Sequence, residues 1–159
     1  MLSKTSIEES LLDSVKEVFE TMIFMDIELS DENEHILEGP SFMGLITFSG
    51  DVEGCLGVCC TNPCAATISA NMLGSEPDNH AGEQEMKDAM GEVANMVLGS
   101  FKARAEGELG KIQVSIPTVV CGRELNNDMV ARTEKVLLKI NLQGEYFAEL
   151  TLLYRQTGK

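Results

Sequence analysis

Glu92 and Asn95, in the stretch Lys87–Arg104 (KDAMGEVANMVLGSFKAR), are the side chains whose types and spacing could do chemistry. Residues three apart on a helix share a face. A carboxamide donates and accepts hydrogen bonds while staying uncharged, and an ionised carboxylate only accepts. Gly91 and Gly99 stand one turn on either side of Asn95, each costing about 1 kcal/mol relative to alanine in a helix interior. Glu92 has no cation three or four residues away on its own helix, where its neighbours are Asp88, Ala89, Asn95 and Met96. Asp88 and Glu92 are a like-charge pair at four residues, mildly unfavourable, whereas Glu83 and Lys87 nearby are spaced as a favourable pair. The face is arranged for something to approach it closely. A merely solvated polar face and a second helix packed over the glycines are the alternatives.

The element that must hold this pair is a long helix, expected from about Glu83 to Glu106 and closed by Gly107. At about 100° per residue, Met86, Met90, Val93, Val97 and Phe101 form a core stripe, flanked by Ala89, Ala94 and Met96. Opposite them lie Asp88, Glu92, Asn95, Gly99, Lys102 and Glu106. Upstream, Thr5 with Glu8 reads as a capping box, and Ile7, Leu11, Leu12, Val15, Val18, Phe19, Met22 and Ile23 continue at helical spacing to about Met25. SDENEHILEGP reads as a loop. SFMGLITFSG and VEGCLGVCCT read as a hairpin. A short helix opens at Thr61-Asn62-Pro63 and stops at Gly74. After the long helix, KIQVSIPTVVCG reads as one strand in which Pro117 marks an edge or an end. EKVLLKINL and EYFAELTLLYR then form a hairpin around Gln143-Gly144. This order predicts one α+β domain over residues 1–159, with helices packed on one face of a mainly antiparallel sheet.

Composition excludes several classes of partner. Twenty-six acids against twelve bases give a formal charge of -14, leaving no surplus of Lys or Arg for nucleic acid or an anionic membrane. No apolar run approaches a membrane span and the amino terminus has no signal core, so a cytoplasmic location is expected. Cys55, Cys59, Cys60 and Cys64 cluster without the CxxC spacing of a zinc site. With Cys121 they make an odd total, which predicts reduced, buried thiols behaving as small hydrophobes. On a strand, Cys59 and Cys60 would point to opposite faces. His35 and His80 fall in polar stretches without a partner pattern, which reads as solvated.

DAMGEVANMVLG resembles the phosphatase motif of the CheC/CheX/FliY chemotaxis phosphatases: Asp or Ser, three residues, Glu, two residues, Asn, then roughly twenty-two residues to a proline. Asp88, Glu92 and Asn95 match the first part, and Pro117 follows after twenty-one intervening residues. VFETMIFMDIELS and INLQGEYFAELTLLYR are similar to the flanking segments of CheX, so the likeness covers most of the chain. A single Glu-x-x-Asn motif also resembles CheX, whereas CheC typically carries two.

The resemblance implies hydrolysis of the aspartyl phosphate of a CheY-type response regulator. Asn95 would orient the attacking water and Glu92 would pair with the regulator's active-site lysine. Asp88, Gly91, Gly99 and Lys102 would form the docking surface. Mg2+ would sit on the regulator, and no metal or cofactor on this chain. The task is positioning rather than covalent chemistry. A homodimer joined edge to edge is also implied, and FAELTLLY is apolar at both parities, with Leu150, Leu152 and Tyr154 opposing Phe147 and Leu153. Two other readings stand beside this one. The first is a non-catalytic docking module for a regulator or a flagellar or signalling protein. The second is a thiol-redox or metal domain built on Cys55–Cys64.

Overall fold

A computed structural model describes residues 2–30, 37, 39–74, 82–123, 125 and 133–157. His35, His80 and most of the polar stretch after Gly122 lie outside the described residues. Helix α1 spans Lys4–Val18 and runs on into a π-helical turn, Phe19–Ile23. Strands β1 (Ile27–Leu29), β2 (Ser41–Gly50) and β3 (Val52–Thr61) precede α2 (Asn62–Leu73) and α3 (Glu83–Arg104). A short α4 (Glu106–Leu109) leads to β4 (Ile112–Val114), β5 (Thr118–Gly122), β6 (Glu134–Leu142) and β7 (Tyr146–Gln156). The seven strands form one antiparallel sheet in the order β1-β6-β7-β3-β2-β4, with β5 also pairing with β2.

Strand alternation assigns the two faces. Val52, Leu56, Val58 and Cys60 of β3 and Leu150, Leu152 and Tyr154 of β7 join one core with Ile7, Leu11 and Val15 of α1 and Met90, Val93 and Val97 of α3. The helices therefore cover one face of an antiparallel sheet, the expected α+β arrangement. Both parities of β7 are apolar because it is an interior strand, flanked by β6 and β3, with Leu153 buried on the face away from the helices. The expected split of the paired cysteines also holds: Cys60 lies in the helix-side core, 3.7 Å from Met90 Sδ, while Cys59 is buried on the other face.

Several boundaries differ from expectation. Ser3, not Thr5, caps α1; its extended backbone lets Oγ accept from the Ser6 amide at 3.4 Å. β1 carries no alternating pattern because it is three residues long, held by its ladder to β6 (Ile27 with Leu142). The long helix stops at Arg104 rather than Glu106: the backbone breaks at Ala105, and α4 then closes at Gly110 with φ 67°. KIQVSIPTVVCG is two strands on one partner. Val114 pairs with Phe48, and pairing resumes with Thr118 on Leu45, so Ser115, Ile116 and Pro117 face only Ile46 and Thr47. That extra residue is a β-bulge on an edge, where a proline's missing donor is tolerated.

The sheet admits α3 at one point by lacking a side chain. A Cβ on Gly44 of β2 would stand 2.5 Å from the Met90 carbonyl oxygen and 3.4 Å from Ala94 Cβ. Helix α3 therefore rests directly on the β2 backbone in the turn that carries Gly91 and Glu92.

Candidate functional site

Helix α3 is long enough to bury one side and expose another. Met90, Val93, Val97 and Phe101 are fully buried, as the stripe predicts, and Leu98 is buried with them. Glu92, Asn95, Gly99 and Lys102 are all exposed on the opposite side. Among the described residues, the side chains of Glu92, Asn95 and Lys102 make no hydrogen bond or ion pair. Asp88 is exposed and its Oδ1 accepts a 2.8 Å bond from Gln84 Nε2. The expected Glu83–Lys87 pair forms at 3.8 Å, one turn before the Glu92–Asn95 turn.

Pro117, distant in sequence, comes to this helix. Gln84, Lys87, Asp88, Gly91, Glu92, Pro117 and Val119 line one open groove of about 440 Å³. The bulge at Ser115–Pro117 supplies its far wall. Gly91 is buried there, within ordinary contact of Val119 and Pro117, whereas a Cβ on Gly99 would meet nothing within 4 Å. Gly91 is thus not open like Gly99: the chain's own strand β5 lies beside it, at a distance where an added Cβ would make only ordinary contact. Gln84, Lys87 and Val119 were not singled out from the sequence. The i, i+3, i+4 and i+7 relations of positions 84, 87, 88 and 91 carried the signal for the first two.

The cysteines lie elsewhere. Cys55, Cys59, Cys60 and Cys64 are buried and in no disulfide, whereas Cys121, also in no disulfide, is exposed on edge strand β5, contrary to expectation. Burial and the Glu149 carboxylate push the Cys59 thiol up to about 12. A hydrogen bond with Cys64 and then burial raise Cys60 as well. Thiols held neutral are poor nucleophiles and poor metal ligands. Among the described residues no three His, Cys, Asp or Glu side chains come together as a metal site, and no helix is long and apolar enough to cross a membrane.

The family model described as "Chemotaxis phosphatase CheX" matches residues 42–141, which include β2 from its second residue, all of α3 and Pro117. The CheY-P phosphatase CheX of Thermotoga maritima is 33% identical over 92 residues, covering 57% of this chain and 58% of that protein. The matched region thus spans 58% of that relative's length. Chemotaxis protein CheX from Vibrio vulnificus has the same fold, with a TM-score of 0.78 at 24% identity over 98% of this chain and 100% of that one. The CheX–CheY–BeF3–Mg2+ complex from Borrelia burgdorferi matches at a TM-score of 0.72 and 19% identity, over 93% and 97% of the two chains. With the family model spanning well over half its length and the Asp88–Glu92–Asn95 motif on the exposed side of α3, the chain belongs to the chemotaxis phosphatase CheX family.

Proposed function

We propose that this protein is a response-regulator phosphatase that stimulates hydrolysis of the aspartyl phosphate of a CheY-type regulator, with the exposed face of α3 as its working surface. The observation that carries the reading is the pair Glu92 and Asn95, exposed on one face and without partners among the described residues. An acyl phosphate needs a water held in line, and Asn95 can accept from that water or donate to it without repelling the phosphoryl oxygens. Glu92 pairs with the regulator's active-site lysine in a charge-assisted bond. Mg2+ belongs to the regulator, as the composition of the Borrelia burgdorferi complex suggests.

Asp88, Gly99 and Lys102 form the docking surface around this pair. Gly91 belongs to it through the groove, which it lines with Pro117. Two copies of the chain assemble as a homodimer through sheet edges. The available edges are β1 and the β4–β5 side, because β7 is interior.

The test is phosphate release from the host's phosphorylated CheY-type regulators, with and without the protein. Acceleration that disappears in Asn95→Ala supports the reading. Binding without acceleration replaces it with a non-catalytic docking module.

A further inference from the structure

Ile116 is 87% exposed, the most exposed large hydrophobic side chain among the described residues. Its position follows from the bulge: three residues of the β4–β5 edge face two of β2, and bulges turn a side chain away from its ladder. The backbone around it is nonetheless tightly held. The Ser115 amide donates to the Thr47 carbonyl at 2.9 Å, and the Thr47 amide donates to Ser115 Oγ at 3.0 Å. On the other side, the Pro117 ring fixes its own φ and lies in contact range of Gly91 on α3. An apolar side chain is therefore held, with its backbone ordered beforehand, beside Pro117, which lines the groove that contains Glu92.

Electrostatics sharpens the question of what such a side chain does. A chain of net charge -14 meets a phosphorylated, anionic site at a disadvantage, because long-range fields steer like charges apart. Docking must then draw on local contacts. Rigid apolar anchors that lose no order on binding are efficient sources of such contact.

We infer that Ile116 is a docking anchor for the phosphorylated regulator, inserting into an apolar recess of that partner while α3 covers the phosphorylated aspartate. The inference rests on the proposed function and adds a second contact element, the β4–β5 bulge, to the helix. Glu92, Gly91 and Pro117 line one groove, and Ile116 is the residue next to Pro117 in the chain. The occupant is the same regulator, since Pro117, which adjoins Ile116, lines one groove with Glu92.

The experiment compares wild type, Ile116→Ser and Leu137→Ser in the full chain. Leu137 is a half-exposed apolar residue on β6, remote in the sheet order from the β4–β5 edge. The dissociation constant is measured for a CheY-type regulator held in its beryllofluoride–Mg2+ form, and turnover for the phosphorylated one. Ile116→Ser should raise both Kd and KM about tenfold with kcat and the thermal midpoint unchanged. Leu137→Ser should change neither. Unaltered Kd and KM for Ile116→Ser overturn the anchor and leave the phosphatase reading standing. If wild type binds the regulator without accelerating phosphate loss, the phosphatase reading fails, and the Kd comparison still decides the anchor. Failure of wild type to bind any host regulator overturns both.

Discussion

Gly91 and Pro117 are packed together: a Cβ on Gly91 would stand 3.8 Å from Pro117 Cβ and Cγ and 3.4 Å from Val119 Cγ2. Gly99, two turns further on, has nothing within 4 Å. The two glycines that flank Asn95 therefore have different surroundings: Gly91 faces β5 and Gly99 faces open space. Gly99→Ala should stabilise the protein by about 1 kcal/mol, the helix-propensity difference, since no contact opposes it. It should also raise KM for the phosphorylated regulator, because the added methyl group enters the docking face. Urea unfolding and steady-state kinetics on one variant read both effects. A stabilised variant with unchanged KM would detach Gly99 from docking.

Asn95→Ala should abolish stimulated dephosphorylation with no loss of stability. The side chain is exposed and makes no bond among the described residues, and alanine is the better helix former. Water positioning acts in the transition state, so the loss should fall on kcat while regulator binding persists. Near-normal turnover would remove Asn95 from the mechanism.

Glu92→Ala should instead weaken docking. The regulator's lysine would lose a charge-assisted hydrogen bond, worth about 1–3 kcal/mol, and would have to find water in its place. Glu92→Gln keeps the shape without the charge and should recover little of the affinity. Titration calorimetry against the beryllofluoride-bound regulator separates these outcomes, and unchanged affinity in both variants would leave Glu92 a solvated residue.

Gly44→Ala tests how α3 is seated. Its new Cβ would fall 2.5 Å from the Met90 carbonyl oxygen and 3.1 Å from the carbonyl carbon, so backbone must move. Overpacking of this kind costs about 1–3 kcal/mol. A chemical-denaturation midpoint equal to wild type would show that the helix adjusts freely and that the sheet does not fix its height.

Much of this arrangement was legible because its signals are local. Gly74 ends α2 with φ 71°, and Gln143-Gly144 turns the last hairpin with φ 57° and 66°, where turn chemistry announces the conformation. The buried stripe of α3 and the exposed Glu92–Asn95 face follow from one period. What escaped depends on pairing across the chain. Ile27–Leu29 becomes a strand only because β6 offers an edge. The Ser115–Pro117 bulge exists only in the register against β2. Gly91 looks identical to Gly99 in sequence until β5 is brought against it.

The thiols give a pH-dependent prediction with a definite sign. The folded Cys59 thiol titrates near 12, against 9.0 for an unperturbed one, because burial and then the Glu149 carboxylate disfavour the thiolate. Above pH 9 the unfolded chain releases a proton that the folded chain retains, so the unfolded state binds fewer protons and stability falls as pH rises. The contribution is fully present below pH 9 and is lost between about 9 and 12. Replacing Cys59 by alanine should flatten that part of the stability profile, measured by urea unfolding across the window. At pH 8 an aromatic disulfide reagent should find one native thiol, Cys121, and five after unfolding. More than one fast native thiol would contradict the burial of the other four.

Assembly can be tested without reference to catalysis. Interior β7 offers no free edge, so a dimer must use β1, three residues long, or the β4–β5 side, which carries the bulge and Pro117. Bulges and proline are devices that blunt an edge against further pairing. Strand addition beside Ser115–Pro117 is accordingly disfavoured, and the register is regular along Ile112–Val114, along Thr118–Gly122 and along β1. If the copies join there, each keeps its own Glu92–Asn95 face, because those side chains point away from the sheet on α3. The dimer should then bind two regulators with one affinity. Sedimentation equilibrium at micromolar concentration should give twice the mass of a chain. A value near 17.3 kDa would eliminate the dimer without touching the chemistry assigned to α3.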